Sequence, residues 1–273
     1  MRKLLVLFVF VLTNLNLFSQ PNVVEKEQEI KAKFENLVQA KMDSLKLSIC
    51  KEIEKLFTDV LTDEMSFDYS FSELSKMGKL TSTDQKFRIF NWNCVLSDGT
   101  YRYFGLLQIK QKDTIQLEVL TDSAVATDMF HQYKTEDWPG GLYYQIIPFK
   151  RKGTSSYLLL GWDGNNFQTN KKVIEVLTID DNGNISFGAP VIFWKGKMLN
   201  RVVFEYAKQA RMTIQYNEKE EQIIFDHLAP SLPKYQNQFE YYGPDFSYDA
   251  LEYQKGKWVL IENIDVRNMR VKK

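Results

Sequence analysis

From residue 23 to residue 62 the apolar positions advance by threes and fours: Ile30, Phe34, Val38, Met42, Leu45, Ile49, Ile53, Leu56 and Val60. That spacing keeps one stripe of an α-helix apolar. The other face carries Glu27–Lys31 and Glu29–Lys33 in the favourable i,i+4 order, and neither Gly nor Pro interrupts the stretch. The pattern predicts one long helix, or two joined near Asp43-Ser44, with the stripe turned toward a larger body. Residues 63–85 change to Ser, Thr, Asp and Lys, which predicts a loop-rich connection with one further helical turn around Phe67, Phe71 and Leu74.

From Phe87 onward the period shortens. Runs rich in Val, Ile, Tyr and Phe recur, separated by turn sequences such as Ser-Asp-Gly, Lys-Arg-Lys-Gly, Asp-Asn-Gly and Lys-Gly-Lys. Phe87–Leu96 and Tyr101–Lys110 form the first such pair, and Tyr248–Gln254 and Trp258–Ile264 the last. Short strands joined by tight turns pair antiparallel, and a set this large must fold over on itself to manage its edges. The predicted fold is mainly β with an N-terminal helical segment, the strands forming an antiparallel sandwich or a curled meander. The expected divisions are a signal peptide at 1–19, the helical segment and its connection at 20–80, and an antiparallel β-rich domain at 81–273.

The signal peptide is read from Arg2 and Lys3, the uninterrupted apolar run Leu4–Leu12, and small Ser19 before the expected cut. The apolar run is about half of the roughly 20 residues a spanning helix needs, so cleavage is expected to leave no transmembrane segment. No cysteine stands near the cut to carry a lipid. The whole chain carries 35 basic and 35 acidic residues. Without Arg2 and Lys3 the balance is 33 against 35, a net charge of −2, and such a weak field recruits no nucleic acid. Cys50 and Cys94 are the only cysteines. An exported chain permits a bridge between them, while their apolar neighbours suit two thiols packed as small hydrophobes.

Candidate chemistry is sparse. His227 follows Asp226 at the end of a predicted strand, and a histidine there can shuttle protons with Asp226 and Asp245 as partners. A zinc site would need His131 and His227 together, or one of them with a carboxylate brought from afar such as Asp245 or Asp249. Trp162-Asp163-Gly164 follows an apolar strand, where an indole and a carboxylate together suit a sugar, although Asp-Gly after a strand is also a hairpin turn with Gly at positive φ. Tyr241, Tyr242 and Tyr248 stand in the densest aromatic stretch, with Asp245 and Asp249 among them. Aromatic residues make up 14% of the chain, enough to serve both a β-core and a ring-lined ligand surface. Gly-x-Ser-x-Gly, His-Glu-x-x-His, EF-hand spacing and a Gly-rich phosphate loop are all missing, so neither cofactor nor metal is expected.

Phe-Ser-Gln at 18–20, Leu-Gly-Trp-Asp-Gly at 160–164 and Tyr-Gly-Pro-Asp at 242–245 resemble segments of uncharacterised exported β-rich proteins of Bacteroidota. The resemblance implies a periplasmic or secreted location and brings no activity with it. Together these readings lead to the expectation of a soluble, non-enzymatic binding or interaction module of the cell envelope, its partner a glycan or an envelope protein. The alternative is a hydrolase of envelope glycan or peptide using Asp226, His227 and Asp245. A carrier of a small apolar ligand inside a closed barrel is a third expectation.

Overall fold

The computed structural model describes residues 23–111, 114–124, 127–151 and 154–266. The expected signal peptide lies outside the described residues. Two helices come first, α1 (Val23–Gln39) and α2 (Asp43–Leu61), followed by a 3-10 turn at Glu64–Asp68. The first strands are β1 (Gly78–Thr81), β2 (Phe87–Val95), β3 (Tyr101–Gln111), β4 (Thr114–Thr121), β5 (Leu142–Arg151), β6 (Thr154–Asp163), β7 (Thr169–Asp180) and β8 (Ile185–Phe187). Then come β9 (Ile192–Trp194), β10 (Lys197–Leu199), β11 (Arg201–Ala207), β12 (Ile214–Asn217), β13 (Gln222–Pro230), β14 (Tyr242–Gln254) and β15 (Lys257–Ile261).

The helical stripe is cut in two at Ala40–Met42. Ile30 and Phe34 of α1 and Ile49, Ile53 and Val60 of α2 are buried, whereas Val38, Met42 and Leu45 lie exposed at the bend. A three-residue link folds α2 back along α1, and Lys33 pairs with Glu52 across the hairpin at 2.5 Å. The break falls just ahead of Asp43 because that carboxylate is used elsewhere: it accepts from Ser97 N and Oγ, and so fixes the start of α2 to the end of β2.

The strands make three sheets, ordered β1-β2-β3-β4, β11-β7-β6-β5 with β8 beside β7, and β10-β9-β15-β14-β13-β12. All strand pairs are antiparallel except β15 with β9. The sheets stack behind the helical hairpin as four layers. Alternation sorts the residues: Phe90, Trp92, Phe104 and Leu106 of the first sheet face the helices, while Phe87, Ile89, Leu107 and Ile109 face the middle sheet. Tyr157 and Leu159 of β6 complete that second interface, and Leu158 and Leu160 turn to the third sheet with Ile223, Phe225, Leu251 and Trp258. A sheet covered on both faces needs apolar residues at consecutive positions, which is why Tyr157–Leu160 shows no alternation. The fold is mainly β behind two helices, and among the described residues no sheet closes into a barrel of the kind expected of an apolar-ligand carrier. Among the described residues no helix is long and apolar enough to cross a membrane.

Candidate functional site

Tyr101 and Tyr103 are two apart on β3, so both rings lie on the face toward the middle sheet. They stack loosely, with ring centres 6.2 Å apart. Tyr103 is buried. Its hydroxyl donates to Asp163 Oδ1 at 2.7 Å and accepts from the Gly164 N–H at 2.8 Å. Desolvation, followed by the neighbouring Asp163 charge, pushes its ionisation well above the ordinary tyrosine range. Tyr103 is therefore a fixed donor and not a base.

The segment 160–164 is built around these rings. Gly161 packs against the Tyr143 ring, and Trp162 meets Tyr101 edge-on at 5.6 Å. A Cβ at Gly164 would sit 2.1 Å from the Tyr101 ring, so only glycine fits there. Gly164 does not adopt the positive φ expected of a turn glycine; Asn165 takes it instead, at φ 50°. Asp163 stabilises that residue by accepting from Asn165 N at 2.7 Å. Lys208 closes the far side of the ring, over Tyr101 and donating to Gly164 O at 2.9 Å.

The opposite wall comes from residues 122–124 and 127–141. Asp122 accepts from Tyr103 N at 2.9 Å and from Ala124 N at 2.8 Å. This loop is anchored from below by Arg201, which lies on the middle sheet without solvent contact. Arg201 Nε donates to Glu175 Oε2 at 2.7 Å, and three of its other four N–H groups donate to the carbonyls of Asp128, His131 and Phe187. Arg201 and Glu175 face each other in register on β11 and β7, and the guanidinium covers the Tyr133 ring. Asn200 adds a bond to Phe130 O at 2.8 Å. A segment with little regular structure is thus tied to the middle sheet, one buried cation supplying two of the bonds.

Between these walls lies a cleft of about 280 Å³, lined by Thr100, Tyr101, Arg102, Tyr103, Asp122, Ala124, Thr127, Pro139, Asp163, Asn165 and Lys171. Two cations and two carboxylates share it, so it carries donors and acceptors without a dominant sign. A larger cleft of about 540 Å³ occupies the other end of the same interlayer, around Lys86, Lys110, Tyr157, Asp180 and Asp181. Its polar groups are largely spent on one another: Lys86 on Ser155, Tyr157 on Asp84, and Asp180 on Asn182 and Asn184. Asp122 and Asp163 are engaged in the same way, but the smaller cleft is the one that contains a residue the sequence singled out, Asp163, and it is taken as the candidate.

His227 stands elsewhere, on the outer sheet. The strand does not stop at Asp226 as expected but continues to Pro230, with a bulge between Asp226 and Leu228. His227 Nδ1 lies 2.7 Å from Asp249 Oδ2, and Asp249 Oδ1 accepts from Asn263 N. Asp245 is nearby; hydrogen bonds from Ser247, helped by the His227 charge, hold its carboxyl below the usual range. Asp226 is turned away and accepts from Thr213 N at 2.7 Å. Tyr242 is buried and its hydroxyl accepts from Asn237 N, whereas Tyr241 stacks on Tyr235 at 3.9 Å. Tyr248 is half-buried within β14, and its carbonyl accepts from Ile264 N. None of Tyr241, Tyr242 and Tyr248 lines the cleft. Among the described residues no group of three or more His, Cys, Asp or Glu is placed to hold a metal ion.

Asp163 is thus brought together with Tyr101, Tyr103, Arg102, Asp122 and Lys171, which sequence reasoning passed over, whereas Trp162 packs edge-on against Tyr101 and does not line the cleft. The Tyr-x-Tyr spacing after the Ser-Asp-Gly turn was a usable signal, since it places two rings on one face at a strand end. Nothing in the sequence tied them to Asp163, 60 residues later. In comparisons with known protein families, curated proteins and solved structures, the chain matches none.

Proposed function

We propose that this chain is an exported, non-enzymatic binding module of the cell envelope that holds a hydroxyl-rich ligand, one unit of a glycan, in the Tyr101–Asp163 cleft. The observation that carries the reading is the lining itself. The Asp122 and Asp163 carboxylates accept from sugar hydroxyls, Arg102 and Lys171 supply donors, and half-buried Tyr101 adds aromatic surface to the wall. The balanced charge argues against a phosphorylated ligand, which would call for a surplus of cations. The volume is at the lower edge of the roughly 300–1,000 Å³ typical of small-molecule sites, which suits a single sugar or a chain end. Preorganisation supports the same reading, because Tyr103, Asp163 and Asp122 are already held by hydrogen bonds and lose little conformational entropy on binding.

The test is a glycan array of neutral and acidic envelope oligosaccharides, followed by calorimetry on any hit with Tyr101→Ala and Lys171→Ala. Both substitutions are expected to weaken binding at least about tenfold, roughly 1.4 kcal/mol, and Lys171→Ala to do so at unchanged thermal midpoint. A hit whose affinity neither variant alters would place binding outside this cleft.

The His227–Asp249 pair favours a second reading, a hydrolase of envelope glycan or peptide. A carboxylate on Nδ1 orients an imidazole and leaves Nε2 for proton transfer. Hydrolysis of such an oligosaccharide or peptide by the parent chain, lost in His227→Gln, would decide for it. Identical turnover in both proteins would decide against it.

A further inference from the structure

The helical hairpin is joined to the first sheet along one line of contacts. Asp43 accepts from Ser97 N and Oγ, and one turn later Lys46 Nζ donates to the carbonyl of Val95 at 2.6 Å. One further turn along α2 stands Cys50, and the next residue back along β2 is Cys94. Both are buried in the same apolar cluster, and their thiols face each other within hydrogen-bond reach. Farther along, Phe57 meets Trp92 and Phe90, so helix and strand run in opposite directions in fixed register. The chain contains only these two cysteines, and the fold places them opposite one another across two layers.

We propose that Cys50 and Cys94 are a disulfide site that clamps α2 to β2, oxidised by thiol–disulfide exchange with a small-molecule disulfide or the active-site disulfide of a thiol oxidase. The Cys94 thiolate attacks one sulfur of the donor and expels its partner as a thiolate, leaving a mixed disulfide on Cys94. The Cys50 sulfur then attacks the Cys94 sulfur and expels the second donor thiolate. Two protein S–H bonds and one donor S–S bond are replaced by one protein S–S bond and two donor S–H bonds, and the electrons pass to the donor. The order follows from the surroundings. Hydrogen bonding from Cys50, with Lys46 and Arg102 nearby, moves the ionisation of Cys94 to lower pH, and Cys94 is the one with residual solvent contact. Cys50 has none, and acts once its neighbour is derivatised. The structure describes the dithiol form. The bridge closes a chain segment that contains α2's second half, β1 and most of β2, which restricts the unfolded chain and raises thermal stability.

The experiment uses the purified full chain, reduced, then held under native conditions with oxidised glutathione, and finally denatured and alkylated. The expected product is lighter by two hydrogens, resists alkylation, and yields the tryptic peptides 47–51 and 89–102 joined as one. Reduction should reverse all three signs, and the oxidised form should melt at a higher temperature than the reduced form. The same glutathione ratio in concentrated urea should give far less of the joined peptide, because the apposition is lost. Two alkylated cysteines, a glutathione adduct on each, or equal bridge yields in native buffer and in urea would overturn the proposal.

Discussion

Arg201→Met removes the cation that supports the cleft's outer wall, and its cost can be worked from the structure around it. Arg201 and Glu175 are 0% and 1% exposed. Breaking a buried pair by removing one partner costs about 3–5 kcal/mol, because the remaining charge has no compensation. Three backbone carbonyls lose their donor at the same time, each worth about 1 kcal/mol or more. The sum approaches the whole stability of an ordinary domain, about 5–15 kcal/mol. Adding Glu175→Met isolates the two contributions. It removes the unpaired charge but cannot restore the carbonyl bonds, so the double variant should recover in part and stay about 2–4 kcal/mol below the parent. Urea unfolding at neutral pH gives these differences by linear extrapolation, and hydrogen exchange should show protection lost first in 127–138. A single variant within about 1 kcal/mol of the parent would refute the anchoring role. So would a double variant as stable as the parent, which would mean the ion pair mattered and the loop anchoring did not.

Tyr103→Phe should destabilise the chain by about 1–3 kcal/mol in the same melts, since the Gly164 N–H loses its acceptor and Asp163 one of its donors. Gly164→Ala forces a methyl against the Tyr101 ring, and a cost of about 1–3 kcal/mol is expected. In the same variant the ring-current shifts that Tyr101 and Trp162 impose on each other should collapse in aromatic NMR spectra. Asp43 is held below its ordinary value of 3.8, first by the Ser97 hydroxyl and then by the Ser97 N–H. Its folded value is the lower one, so its contribution is complete above 3.8 and is lost as pH falls through the folded value. Amide protection at the start of α2 should therefore drop on acidification, and Asp43→Asn should flatten that dependence.

Helices and strands were largely legible because their patterns are local. Apolar spacing placed both helices, and the Val, Ile and Tyr runs placed most strands. What escaped was either short or non-local. β1 is a four-residue strand starting at Gly78, where a Cβ would meet Asn91 Oδ1 at 2.1 Å, so it has neither the length nor the composition of a strand. β10, three residues after a Lys-Gly turn, is equally silent. The helical stripe ran through the bend at Ala40–Met42 because Val38, Met42 and Leu45 are apolar yet exposed. At the cleft, Trp162 and Asp163 were visible as a pair, but their partners come from β3 and from the segments 122–124 and 127–141. Trp138, apolar and beside a Pro-Gly-Gly turn, is wholly buried, with its indole N–H donated to Tyr143 at 3.0 Å. Periodicity reports which face is buried. It does not report which strand ends meet.

The most direct test of the cleft is amide chemical-shift mapping on the labelled chain, titrated with glycan fragments selected on the array. Shifts that cluster on Tyr101–Tyr103, Asp122–Ala124, Asp163–Asn165 and Lys171 are the expected result. Shifts confined to the Tyr235–Phe246 segment, or to His227 and Asp249, with the cleft resonances unmoved, would contradict the assignment.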